Sequence, residues 1–89
     1  MPAISMFYGI IIYLYFKDNK KHNTPHIHAE YGEFEGVFDI ITCGLIAGDL
    51  PKAKIPLVEA WMQIHKDELL ADWQLALKGE SPFKIDPLR

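Results

Sequence analysis

Cysteine is almost absent from the chain: Cys43 is the only one among 89 residues. No internal disulfide can form, and a zinc site built on several cysteines is excluded. A reducing cytoplasm is the setting this implies. Long apolar runs are missing as well. The stretch MFYGIIIYLYF at 6–16 falls well short of the roughly 20 residues a spanning helix needs, and Gly9 divides it. It has no basic leader and no small-residue cleavage site, so it reads as neither a membrane span nor a signal peptide. Basic charge is scarce: the formal net charge is −3. General nucleic-acid binding, which draws on an excess of lysine and arginine, is therefore not indicated. Lys17, Lys20 and Lys21 do cluster, but Asp18 interrupts them and the run reads as a solvated loop. There is no internal repeat, no phosphate-cradling glycine loop and no serine-nucleophile motif.

What remains is rich in side chains for a core. Hydrophobic residues make up 49% and aromatics 12%, which describes a folded protein rather than a disordered one. The length suits one domain, 1–89, strand-rich over 1–50, helical over 51–79 and extended over 80–89. Residues 3–8 and 10–16 carry the Ile, Tyr and Phe that favour strands, with Gly9 allowing a turn or bulge between them. The polar stretch 17–25 is a loop, and Pro25 suits the start of a strand because it cannot donate a ladder hydrogen bond.

In HIHAEY, Ile27, Ala29 and Tyr31 alternate with His26, His28 and Glu30. Period-two alternation puts the two sets on opposite faces of a strand. Past Gly32 the pattern resumes, with Phe34, Gly36, Phe38 and Ile40 alternating with Glu35, Val37 and Asp39. A two-residue loop at Gly32 and Glu33 pairs Tyr31 with Phe34, Ala29 with Gly36 and Ile27 with Phe38. The other face then sets His26 opposite Asp39, His28 opposite Val37 and Glu30 opposite Glu35. Two opposed glutamates repel unless a cation, a shared proton or distance relieves them.

Three readings of this polar face stand open. In the first, His26 and His28 ligate a divalent metal such as zinc, with Asp39 or His22 completing the site. In the second, Asp39 orients His26 as a general base, and the two are the candidate catalytic residues. In the third, the face is structural or meets a partner, and its histidines are hydrogen-bonded or solvated. The segment HIHAEYGE is similar to the first metal motif of the cupins. The likeness ends there, because Lys20 stands where those proteins carry glycine and no second histidine motif follows.

A wider set of segments runs the length of the chain: MPAIS.FYGIIIYLYF, PHIHAEYGEFEG, GLIAGDLP, EAW..IHKDELLADW and IDPL. Together and in this order they resemble a family of small uncharacterised bacterial proteins, classed as a domain of unknown function. The resemblance implies a product of a two-gene unit of toxin–antitoxin type, with a small protein partner from the neighbouring gene. In that family a histidine lies close to one or two prolines before the His-x-His. Here Asn23 and Thr24 separate His22 from Pro25.

The C-terminal half reads as packing elements. Leu45–Gly48 forms a short edge strand after a turn at Cys43 and Gly44. Regular helix begins at Pro56, where a proline ring occupies a favoured first position. Leu57, Val58, Trp61, Met62 and Ile64 follow at amphipathic spacing. A second stretch buries Leu69, Leu70, Trp73, Ala76 and Leu77 and stops at Lys78 and Gly79. Glu59, Asp67, Glu68 and Asp72 are expected on a solvated face. His65 is expected as a cap or surface residue, and Phe83, Ile85 and Leu88 are expected to dock the tail. The expected fold is α+β: an antiparallel sheet of about four to five strands, followed by one or two C-terminal helices packed on the face bearing Ile27 and Phe38. The histidine face is then open to solvent or covered by a partner chain, and a homodimer would cover it.

Overall fold

The structure is a computed structural model, and it describes residues 3–14 and 24–89. Five strands form one antiparallel sheet in sequential order: β1 (Ala3–Phe7), β2 (Ile10–Tyr13), β3 (His26–Tyr31), β4 (Phe34–Asp39) and β5 (Leu45–Gly48). Two helices follow, α1 (Ile55–Ile64) and α2 (Lys66–Leu77). The α+β expectation holds. Residues 15–16, expected to extend β2, most of the expected loop with its three lysines, and His22 lie outside the described residues.

The turns follow from glycine placement. Tyr8 (φ 50°) and Gly9 (φ 79°) both adopt left-handed backbone, the signature of a type I′ hairpin turn whose twist matches the flanking strands. Gly32 (φ 58°) is followed by a Glu33 of ordinary φ, the sign pattern of type II′. The resulting β3–β4 register is the one the alternation predicts, from Tyr31 opposite Phe34 to His26 opposite Asp39. At the far edge Gly48 (φ 69°) is confined to glycine. A Cβ there would lie 2.1 Å from the Glu35 carbonyl oxygen.

The α1 start also meets expectation to within a residue, with Pro56 in the first turn, where its missing N–H removes no helical bond. One residue, His65, ends α1 and begins α2. Glu68, in the first turn of α2, meets the His65 imidazole at 2.5 Å. The other end of α2 closes in a Schellman motif, the Gly79 amide donating to the Ala76 carbonyl (3.0 Å) and the Glu80 amide to Leu75 (2.9 Å).

The core joins Ile10, Ile12, Ile27, Ala29 and Phe38 of the sheet to Val58, Trp61, Met62, Leu69 and Trp73 of the helices. Phe7 and Trp61 pack with ring centroids 5.3 Å apart. Trp61 and Trp73 are core anchors, as their spacing among leucines implies. Several side chains depart from expectation. Asp72 is not solvated but buried, and one of its carboxylate oxygens accepts the Phe83 amide of the C-terminal segment. Ile64 and Leu77 are exposed, each as the last residue of its helix, where the buried stripe has run out. In the tail Ile85 is buried, while Phe83 is 74% exposed and docks through its amide instead of its ring. No helix among the described residues is long and apolar enough to cross a membrane.

Candidate functional site

The site is the face of β3 and β4 that carries the imidazoles, and its two ends behave differently. At the end where β3 begins, His26 is fully buried. Its Nδ1 lies 2.9 Å from the Thr24 carbonyl oxygen. Since a carbonyl only accepts, Nδ1 carries the proton in this bond. The ring packs against Trp73 of α2, with centroids 5.0 Å apart. The face was expected to be open or covered by another chain. At His26 it is covered by this chain's own helix, because Trp73 belongs to the core cluster and also meets the imidazole.

Asp39 stands opposite His26 as expected. Its carboxylate is engaged by a turn. Oδ1 accepts the backbone N–H of Ile41 (2.7 Å) and of Thr42 (3.2 Å), and Oδ2 accepts the Thr24 hydroxyl at 3.2 Å. This is the way an Asp side chain organises the backbone two and three residues on. The turn closes through Cys43, whose amide donates to the Asp39 carbonyl (2.8 Å), while the Asp39 amide donates to Gly44 (2.9 Å). Lys66 of α2 also reaches this turn, with Nζ 2.5 Å from the Ile41 carbonyl oxygen.

Two residues further along β3, His28 reaches diagonally across the strands rather than to the Val37 opposite it. Its Nδ1 lies 2.9 Å from Glu35 Oε2. The Glu35 side chain is half exposed and that of His28 is 14% exposed. Glu30 and Glu35 are opposed as the register requires. Of that carboxylate pair, Glu35 is the one that meets the His28 imidazole. The His26 and His28 rings themselves meet edge to face at 5.3 Å.

The structure thus brings His26, His28 and Asp39 onto one face, and His22 falls outside the described residues. Among the described residues, no group of three His, Cys, Asp or Glu side chains has the convergence a metal ion needs. Cys43 sits in left-handed backbone (φ 63°) and is buried, with Sγ 3.7 Å from the Ile40 carbonyl. Burial pushes its thiol pKa up, against a smaller opposing effect of Lys66, which makes it a poor nucleophile near neutrality.

Sequence reasoning missed Thr24, Trp73 and Lys66 as neighbours of this face. Thr24 lies two residues before His26 in an Asn-Thr-Pro run, a turn-like composition that signals side-chain capping. Trp73 and Lys66 are far off in the chain, and no local pattern points to them.

Residues 9–74 match the family described as Domain of unknown function (DUF4160), and the chain belongs to that family. The match runs from the first turn through the histidine hairpin to just past Trp73, and leaves the tail outside it. No curated protein and no solved structure matches the chain.

Proposed function

We propose that the protein is the interaction component of a small bacterial two-gene module of toxin–antitoxin type, acting in the cytoplasm by binding a partner protein. One observation carries this reading: His26 and Asp39, the pair that proton transfer would require, are committed to the fold. The imidazole is enclosed by Trp73 and tied to Thr24, and the carboxylate accepts bonds from Thr24, Ile41 and Thr42. A general base must reach the proton it abstracts, and a fully buried ring in this setting supports packing more than turnover. The partner is the product of the neighbouring gene, and a second copy of this chain is the other partner to be tested.

The rival reading is a metal-assisted hydrolase or small nuclease. The adjacency of His26 and His28 on one face favours it. Its third ligand would come from Asp39 or from His22.

Co-expression with the neighbouring gene, followed by size exclusion with light scattering, tests the proposal. A complex that forms equally with wild type and with His28→Gln is expected, and neither form should retain metal. A chain that binds neither the neighbour nor itself, yet holds about one zinc that His28→Gln releases, would overturn the proposal in favour of the rival.

A further inference from the structure

We propose, on the strength of the two-gene reading above, that the partner protein docks on the open half of the sheet face turned away from the core, through a basic, amphipathic segment of its own.

Strand register lays this face out in rows. Met6 stands opposite Ile11, Ile11 opposite Glu30, and Glu30 opposite Glu35, so the four form one row across β1 to β4. Tyr13, His28, Val37 and Ala47 form the next. The row of His26 lies beyond it, where Trp73 meets the imidazole. Burial falls from that end to the other. His26 is enclosed, whereas in the row nearest the turns Met6 is 62% exposed, Glu35 is exposed, and Ile11 and Glu30 are half-buried. The helices pack on the opposite face, against Ile10, Ile12, Ala29 and Phe38.

The open row carries charge of one sign. None of the five strands contains a lysine or arginine. Lys54 reaches this end of the sheet from the core side, where it lies over the Tyr31 ring and donates to the Tyr8 carbonyl (3.2 Å). Glu30 and Glu35 follow the hydrogen-bonded pair that closes the turn, a position where opposed Cα atoms lie only about 4.5 Å apart. Like charges so placed oppose each other. His28, one row further in, meets Glu35 Oε2 at 2.9 Å, while Glu30 has no hydrogen bond or ion pair among the described residues.

This arrangement selects the occupant. An arginine guanidinium holds its donors in a planar fork and can serve both carboxylates at once, and apolar side chains beside it would cover Met6 and Ile11. A second copy of the chain does not fit, because a two-fold contact through this row would set four carboxylates against one another. Nucleic acid is repelled by the same charge.

Titration calorimetry of the full chain with the neighbouring gene's product tests the surface. Glu30→Gln/Glu35→Gln should weaken the complex by about tenfold or more. So should Met6→Lys, which replaces an apolar contact with a charge of the partner's sign. Asp67→Asn/Glu80→Gln removes the same charge from exposed positions in and just after α2 and should change affinity by about twofold or less. Added salt should weaken the wild-type complex more steeply than the Glu30→Gln/Glu35→Gln one. A complex that forms but ignores both face variants, or that loses as much affinity in the α2 control, would overturn the surface and leave the two-gene reading standing. No complex at all would overturn both. A chain that pairs with itself, more tightly after Glu30→Gln/Glu35→Gln, would give the face to a second copy and overturn the proposal. Should the double variant fail to fold, Met6→Lys decides by the same outcomes.

Discussion

The two ends of the β3–β4 hairpin are built from the same residue types, an imidazole and a carboxylate close across the strands, yet they use them in opposite ways. His26 and Asp39 each turn to Thr24 and to the local backbone, and the ring lies under Trp73. His28 and Glu35 meet each other at 2.9 Å near the surface. The difference is burial. A polar group taken out of water must find partners within the protein, and a hydrogen bond whose carboxylate is half exposed contributes less because water competes for that carboxylate. Residue type and spacing therefore mark this hairpin as unusual, while the layer above it decides what each histidine does.

Removing that layer at one point should break the contrast most strongly. Trp73→Ala should lower unfolding stability by about 3–5 kcal/mol, measured by urea denaturation, and should make the His26 ring accessible to imidazole modification at a rate approaching that of His28. The next largest effect comes from the histidines themselves. His26→Ala removes a buried ring and leaves the Thr24 carbonyl without that donor, so a loss of about 2–3 kcal/mol is expected. For His28→Ala the expected loss is about 1 kcal/mol or less. Equal losses for the two would show that the pair nearer the surface stabilises the hairpin as much as the buried one does, and the comparison would fail.

The smallest effect concerns the other hairpin. Tyr8 holds a left-handed backbone, with φ 50°, on an exposed side chain. Asparagine tolerates that region better, so Tyr8→Asn should raise stability by about 0.5 kcal/mol, seen as an upward shift in Tm. No change in the β3–β4 end is expected, since the turn lies in a separate hairpin.

Much of the fold is legible in short-range pattern. The register of β3 and β4 follows from alternation around Gly32, and the helix start near Pro56 and the stop at Gly79 follow from proline and glycine chemistry. The candidate site is legible only as a face. That His26 faces Asp39 can be read from register. That both are held by Thr24, and that Trp73 closes over the ring, cannot be.

The same limit explains Asp72 and Leu77. Helical periodicity assigns a leucine to the buried stripe and an aspartate to water, but an edge of the stripe is buried or exposed according to what packs beside it. Here Asp72 is buried and accepts the Phe83 amide of the tail, while Leu77 stays in solvent.

By itself, then, the sequence determined the elements, their order, the turn positions and the pairing of the histidine hairpin, because periodicity and backbone restriction act between near neighbours. The tertiary structure alone decided which imidazole is enclosed, which carboxylate is buried and where the tail lies. Those outcomes depend on contacts between residues far apart in the chain, such as His26 with Trp73 and Asp72 with Phe83 across the end of α2, and burial is a property of the packed layers rather than of any segment within them.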